Sequence, residues 1–135
     1  MRRLWIAGLL ATAAFAQDAA KDPVVSRGKY LAEEVAKCQT CHTPQMDNGD
    51  YIKSQWMKGS SLGFTPVSNP ANWKSKAPDI SANSPIMKRW GDEGMTRFLE
   101  TGRNPRGSKP GSPMPVFTLS HEDAAAVTAF LKTIQ

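Results

Sequence analysis

The chain has 135 residues, of which 40% are hydrophobic, with ten glycines, ten prolines and a formal net charge of +5. This length suits one domain and is too short for two of ordinary size. The charge is too small, and the lysines and arginines are too dispersed, to indicate a nucleic-acid-binding protein; it suits contact with an acidic patch on a protein partner. The many glycines and prolines predict long irregular segments that need support beyond side-chain packing.

Residues 1–16 have the features of a secretory signal. Two arginines precede a short apolar run, and Ala14 and Ala16 are the small residues that a signal peptidase requires. The run is shorter than the roughly 20 residues that span a bilayer, which argues against an uncleaved anchor. We therefore expect an exported, periplasmic protein whose single domain comprises residues 17–135. Cleavage would remove two arginines and no acidic residue, so the mature chain would carry a charge of +3 and no transmembrane segment.

The first predicted helix covers residues 23–37. Pro23 suits its first turn, and apolar residues then recur at helical spacing through Leu31 and Val35. Gly28 lies on this otherwise apolar face, where a glycine costs about 1 kcal/mol relative to alanine. We therefore expect another element to approach the helix closely at Gly28.

The sequence C-Q-T-C-H follows directly, with Cys38, Cys41 and His42 at its fixed positions. This is the attachment signal of a c-type haem. Two thiols three positions apart can form thioethers with the two vinyl groups of one porphyrin, and the histidine can then bind the iron as a neutral imidazole. The sequence therefore predicts one covalently attached haem c.

Three other interpretations of these cysteines are weaker. A thiol–disulfide oxidoreductase site normally lies in a βαβ setting, and no strand pattern is visible here. A zinc site would need more ligands than the one remaining histidine, His121, can supply. A structural disulfide would leave His42 without a role.

Residues 43–89 contain many Gly, Pro, Ser and Asn residues and show no sustained period. They predict an extended loop with one short helical turn near residues 52–57. A loop of this length is uncommon in a compact domain unless it is functional. Asp92 is the predicted N-cap of a short middle helix that ends at Gly102, and residues 103–118 are again irregular.

The last predicted helix begins after Ser120. Ser120 and Asp123 resemble a capping box with Asp in place of Glu. The apolar residues that follow at helical spacing are Val127, Phe130, Leu131 and Ile134.

A second axial ligand for the iron has six candidates: Met46, Met57, Met87, Met95, Met114 and His121. Met114 is favoured, because Pro113 and Pro115 restrict the backbone on either side of it. Met95 lies on the apolar face of the middle helix, where core packing is the more usual role. His121 is expected to be a solvated residue in the first turn of the last helix.

Together these features resemble class I cytochromes c, and in particular the single-haem domains of periplasmic dehydrogenase-linked cytochromes. The matching stretches are residues 27–32, 38–44, 90–102 and 113–131, the last of which reads P-M-P-x-F-x-L-S-x-E-D at its start. The resemblance is weakest over residues 45–84.

The resemblance implies an all-α fold of three to four helices wrapped around one covalent haem, with long Gly/Pro-rich loops. The first and last helices would cross at Gly28 and Phe130. The Pro44 carbonyl would accept a hydrogen bond from the second ring nitrogen of His42, and Trp90 would be an aromatic near the haem.

The sequence leaves the roles of two groups of residues around the haem open. The donors to the haem propionates could be Trp56, Trp73 or Arg103. The exposed haem edge could be framed by a group of cations, or these could form only a solvated face: Lys37, Arg103, Arg106 and Lys109.

The expected function is one-electron transfer and not enzymatic catalysis, because iron bound by His42 and Met114 has no open position. The donor would be a dehydrogenase or respiratory complex, and the acceptor an oxidase or another cytochrome. Without ligation by Met114, a peroxidase-like enzyme or sensor becomes the alternative. A subunit fixed in a dehydrogenase complex would keep the electron-transfer role with a permanent partner.

Overall fold

The computed structural model describes residues 22–68 and 70–135, so the predicted signal at residues 1–16 lies outside the described part. Helices dominate the described chain, as predicted for an all-α protein. The α-helices are α1 (Pro23–Tyr30), α2 (Gln39–His42), α3 (Pro85–Thr101) and α4 (His121–Leu131). A π-helical turn (Leu31–Val35), a 3₁₀ turn (Lys53–Gln55) and two short strands, β1 (Ser60–Ser61) and β2 (Lys76–Ala77), complete the elements.

Helix α1 and the π-helical turn form one continuous stretch over residues 23–35, which confirms the predicted helix to within two residues. The chain then reverses at Lys37, whose φ of 54° is left-handed. The Cys38 N–H donates to the Ala32 carbonyl at 2.9 Å across this reversal. Helix α2, which carries the C-x-x-C-H motif, is thereby anchored to the end of the preceding helical stretch.

Helices α1 and α4 cross in close contact, as the resemblance to class I cytochromes c implied. A Cβ at Gly28 would lie 1.9 Å from the Ala126 carbonyl oxygen and 2.9 Å from Phe130 Cβ, so only glycine fits there. Arg27 and Asp123 bridge the same two helices, with nitrogen–oxygen distances of 3.0 and 3.1 Å.

Helix α3 begins at Pro85, eight residues before the start implied by an N-cap at Asp92. Ser84 is its N-cap, with Oγ accepting from the Met87 N–H at 3.1 Å, and Pro85 occupies the first turn. The prediction of a loop up to residue 89 is therefore wrong for residues 85–89. A non-helical Gly91, with φ of 65°, divides the helix into two segments.

The other end of α3 agrees with the sequence. Gly102 adopts a left-handed φ of 66° and ends the helix, as predicted. Asp92 follows the kink at Gly91, and its carboxylate forms an ion pair with Lys132 of the C-terminal segment. The predicted N-cap is wrong by one position, because the non-helical Gly91 precedes the second segment and Asp92 is already its first helical residue.

Helix α4 begins as predicted at Ser120, whose Oγ accepts from the Asp123 N–H at 3.2 Å. The Asp123 carboxylate does not complete a capping box, because it is engaged by Arg27. The buried apolar residues form one core that joins both ends of the chain: Leu31, Ala32, Met57, Met87, Met95, Phe98, Leu99, Ala124, Val127, Phe130 and Leu131.

The long middle segment contains a 3₁₀ turn at Lys53–Gln55, which confirms the predicted turn. It also contains a two-stranded antiparallel hairpin, in which Ser60 pairs with Ala77 and Ser61 with Lys76. The sequence did not predict these strands, because two residues are too few to show an alternating pattern. Among the described helices, none combines the length and the apolar character needed to cross a membrane.

Candidate haem site

A cavity of about 580 Å³ lies among the helices, and its wall is mostly apolar. This volume falls within the range of small-molecule and cofactor sites. Cys38, Cys41 and His42 line the cavity from α2, and Met114 lines it from the loop between α3 and α4. The structure therefore brings together the four side chains that the sequence predicted as attachment sites and axial ligands.

The two cysteines are free thiols, both half-buried at the cavity. Burial raises the pKa of Cys38 to about 11, so its thiol stays protonated at neutral pH. Redox-active thiols of C-x-x-C motifs have lowered pKa values instead. This site therefore does not suit thiol–disulfide exchange, whereas two unpaired thiols at one cavity wall suit attachment to a porphyrin.

His42 is buried, with 5% of its surface exposed. Its Nδ1 lies 2.7 Å from the Pro78 carbonyl oxygen. A carbonyl can only accept, so Nδ1 carries the proton and Nε2 keeps its lone pair. Burial also lowers the pKa of His42, which favours the neutral ring. A neutral imidazole oriented through its second nitrogen is the form that binds a metal.

The hydrogen bond from His42 corrects one prediction. The resemblance assigned the acceptor to Pro44, but the Pro44 carbonyl accepts from the Ile52 N–H at 2.9 Å. Helix α2 ends at Thr43, which is extended, with φ of −128° and ψ of 128°. The acceptor, Pro78, is 36 residues downstream of His42 and is brought back by the β1–β2 hairpin. Any residue can offer a carbonyl, so the sequence held no signal for Pro78.

The cavity narrows the candidates for the second ligand from six to two. Met114 and Met95 line it. Met95 lies on α3, is 3% exposed and belongs to the hydrophobic core of the domain, as expected for a packing residue. The other four candidates do not line the cavity. Met57 and Met87 are buried elsewhere in the core, and Met46 is exposed. His121 is also exposed, with its Nδ1 3.4 Å from the Glu100 carboxylate.

Trp90 also lines the cavity, at the kinked middle of α3. Its ring centroid lies 5.1 Å from that of Phe98, with the planes tilted by 55°. Such aromatic pairs stabilise each other beyond their burial. The wall position agrees with the expected aromatic near the haem, and direct contact between Trp90 and the haem stays a prediction.

None of the three predicted propionate donors lines the cavity. The Trp56 Nε1–H donates to the Glu33 carboxylate at 3.0 Å, and the Arg103 guanidinium donates to a loop carbonyl at 2.7 Å. Trp73 packs edge-on against Phe64, with ring centroids 5.7 Å apart. These side chains therefore have other contacts in the fold.

The cations that line the cavity differ from the predicted set. Lys37 lines it as expected, and its Nζ also lies 3.0 Å from Glu34. Arg103, Arg106 and Lys109 do not line it. Lys74 and Lys76 do, and the sequence analysis missed both. No local pattern indicated them, because Lys74 lies outside the two-residue strand β2.

Over residues 22–68 and 70–135, no three His, Cys, Asp or Glu side chains gather into a group that could hold a metal ion. The zinc interpretation of the motif therefore finds no support in the described residues.

A model of the cytochrome c family matches residues 25–135. The chain is 29% identical over 126 residues to the gluconate 2-dehydrogenase cytochrome c subunit of Pantoea cypripedii, covering 90% of this chain and 28% of that protein. It is also 29% identical over 117 residues to a diheme cytochrome c-type protein of Cereibacter sphaeroides, covering 83% of this chain and 36% of that protein.

A third relative is the cytochrome c subunit of a quinone alcohol dehydrogenase of Gluconobacter oxydans, 29% identical over 119 residues, with 84% of this chain and 24% of that protein covered. The chain thus spans between about a quarter and just over a third of these relatives. A solved structure of cytochrome c2 from Rhodobacter sphaeroides is 16% identical, with a TM-score of 0.38 over 81% of this chain and 94% of that one. With a family match over residues 25–135, this chain belongs to the cytochrome c family, whose members carry haem c and transfer electrons.

Proposed function

We propose that this chain is an exported, periplasmic electron carrier with one haem, attached through Cys38 and Cys41, and with His42 and Met114 as axial ligands. The observation that carries the proposal is that these four side chains line one largely apolar cavity. The sequence has two cysteines, which suffice for one attachment site. When bound, the haem supplies a one-electron Fe(III)/Fe(II) couple.

The residues of the chain then have distinct tasks. Cys38 and Cys41 hold the cofactor covalently, so that a small domain retains it without enclosing it fully. His42 is kept neutral and oriented by its burial and by the Pro78 carbonyl. Met114 offers a thioether from a proline-flanked segment, and the apolar wall excludes water. A thioether ligand and an apolar wall both favour the ferrous state, which suits an electron carrier.

The proposed electron donor is a dehydrogenase, with an oxidase or another cytochrome as acceptor. Two of the relatives are named as cytochrome subunits of gluconate 2-dehydrogenase and of quinone alcohol dehydrogenase, which supports a dehydrogenase as partner. A permanent place in such a complex and a free carrier are separated by co-purification from the native source. Electron-transfer contacts of the free type are small and transient.

The absorption spectrum of the protein matured with the c-type haem machinery tests this function. We expect sharp low-spin ferrous bands, with the weak sulfur-to-iron band in the ferric form. The variant Met114→Ala should lose the sulfur-to-iron band and bind carbon monoxide in the ferrous state. The matched control Met95→Ala, at the other methionine of the cavity wall, should keep the band.

Each other result has a defined meaning. Loss of the band in Met95→Ala but not in Met114→Ala would exchange the two assignments. Carbon monoxide binding by the unchanged protein would favour a haem enzyme or sensor. Absence of covalent haem would overturn the proposal. The mass of the secreted protein tests export separately, because cleavage predicts a chain that begins at Gln17.

A further inference from the structure

The mouth of the cavity is basic. Its described lining includes three lysines, Lys37, Lys74 and Lys76, and no Asp or Glu. Lys37 is next to the attachment residue Cys38 and forms an ion pair with Glu34 at 3.0 Å. Lys74 and Lys76 form no ion pair with any described residue. Two cations thus lie at an apolar cavity without an acidic partner.

The fold holds these two lysines in place. The Lys74 N–H donates to the Ser112 carbonyl at 2.7 Å, which ties the hairpin to the loop that carries Met114. A Cβ at Gly111 would lie 2.6 Å from Lys74 Cγ, so the stem of the lysine packs against that glycine. Lys76 lies in β2, opposite Ser61. Both lysines line the cavity, so both side chains lie on the side of the hairpin that faces it.

A haem brings two carboxylates into its pocket, on the propionate side chains of the porphyrin. A carboxylate that is partly removed from water without a cation or hydrogen-bond donor is costly. The three donors considered from the sequence have other contacts and do not line the cavity. The number of unpaired lysines at the mouth equals the number of haem carboxylates.

We propose that Lys74 and Lys76 bind the two propionate carboxylates of the haem. The inference rests on the proposed function, since it requires a bound haem. The hairpin then has two tasks. The Pro78 carbonyl, just after β2, orients His42, and the two lysines bind the negatively charged propionates of the haem. Both side chains are exposed at the mouth, which suits long stems that pack on protein while the ammonium groups reach a carboxylate at the rim.

The test follows the haem carboxylates directly. Haem labelled with ¹³C at the propionate carboxyl carbons is incorporated into the full chain, and their resonances are followed through a pH titration. An adjacent cation lowers a carboxyl pKa by about 1–3 units, so the Lys74→Gln/Lys76→Gln double variant should titrate higher by about that amount. Lys74→Arg/Lys76→Arg should titrate close to the unchanged protein.

Lys88→Gln is the matched control, because it removes one positive charge at an exposed position that does not line the cavity. Its carboxyl titration should stay close to that of the unchanged protein. If the double variant does not mature, each single variant should shift one carboxyl carbon. Carboxyl resonances in the lysine variants that titrate as in Lys88→Gln, on a protein with normal covalent haem, would overturn this inference alone. A chain without covalent haem would overturn the proposed function and this inference with it.

Discussion

The helical crossing and the middle segment over residues 45–84 are stabilised in different ways. At the crossing, α1 and α4 meet through buried side chains, and Gly28 lets the backbones touch. The middle segment has few buried apolar residues, and three hydrogen bonds join it to His42 and the adjacent Thr43. Gly59 N–H donates to the His42 carbonyl at 2.8 Å, and Met57 N–H donates to Thr43 Oγ1 at 2.9 Å.

This difference separates two requirements of the site. Apolar burial is non-directional, so it gives the crossing much of the stability of the domain without fixing one side chain precisely. Hydrogen bonds are directional, so the middle segment can set the orientation of the His42 imidazole ring. Each such bond contributes only a modest net free energy of folding. Changes at the crossing should therefore affect folding, and changes in the middle segment should affect the ligand.

The largest effect is expected for Gly28→Leu. The first side-chain carbon would already lie 1.9 Å from the Ala126 carbonyl oxygen, and this backbone cannot move without separating α1 from α4. Overpacking costs about 1–3 kcal/mol in ordinary cores, and a clash with backbone should exceed that range. We expect no folded, haem-loaded protein, measured by expression, circular dichroism and haem absorbance.

Gly63→Ala is the matched control for this substitution. No atom lies within 4 Å of a Cβ at Gly63, and its φ is not left-handed, so the variant should fold and load haem normally. A Gly28→Leu protein with native haem content and native unfolding midpoint would contradict the close crossing.

An intermediate effect is expected for Thr43→Val, in the region that positions His42. Thr43 is 1% exposed, and its hydroxyl is the acceptor for the buried Met57 N–H. An unpaired buried donor costs about 1–3 kcal/mol, and valine keeps the shape of threonine. Denaturant unfolding of the haem-loaded protein measures the loss. The exposed Thr65→Val should change stability little, and equal losses in both variants would refute the role of the buried hydrogen bond.

The smallest effect is expected for the ion pair that bridges the crossing. The guanidinium of Arg27 lowers the pKa of Asp123 from its ordinary value of 3.8 by a hydrogen bond. The pair therefore stabilises the fold above that value, and this contribution is lost as the pH falls through the lowered pKa. Arg27→Gln should be less stable than the unchanged protein at pH 7, by an amount that shrinks as the solution is acidified below the ordinary value.

Arg97→Gln provides the comparison, because Arg97 pairs with Glu93 at 3.5 Å within α3 and bridges no second element. Unfolding midpoints of both variants are measured at neutral and acidic pH. A pH-independent difference between Arg27→Gln and the unchanged protein would show that the pair does not carry the effect.

Local patterns predicted the attachment motif and a close approach at Gly28, whereas the resemblance to class I cytochromes c implied that the last helix is the one that approaches. An apolar helix face interrupted by Gly28 indicates a close contact. The C-x-x-C-H motif by itself indicates covalent attachment of a haem. The sequence did not predict the start of α3, although Ser84 followed by Pro85 is an ordinary start signal, because Gly91 interrupts the helical period six residues later.

The acceptor for His42 could not be predicted for a different reason. The contact between His42 and Pro78 depends on how the chain folds back over 36 residues, and any of the prolines and other residues of the segment offers the same carbonyl group. The places of Lys74 and Lys76 at the cavity could not be predicted for the same reason. Both line the cavity because the chain folds back at the hairpin, and a strand of two residues leaves no readable period.

The closed base of the hairpin has a consequence for how this domain can vary. Pairing of Ser60 with Ala77 joins the two ends of the loop immediately beside the contacts that Gly59 and Pro78 make with His42. Because loop closure costs only about 0.6 kcal/mol more for each doubling of length, the tip of the loop, before Lys74, can be lengthened or shortened at little cost. The hairpin is in this sense a replaceable module: substitution of its tip would redesign the entrance to the cavity while the imidazole keeps its anchor.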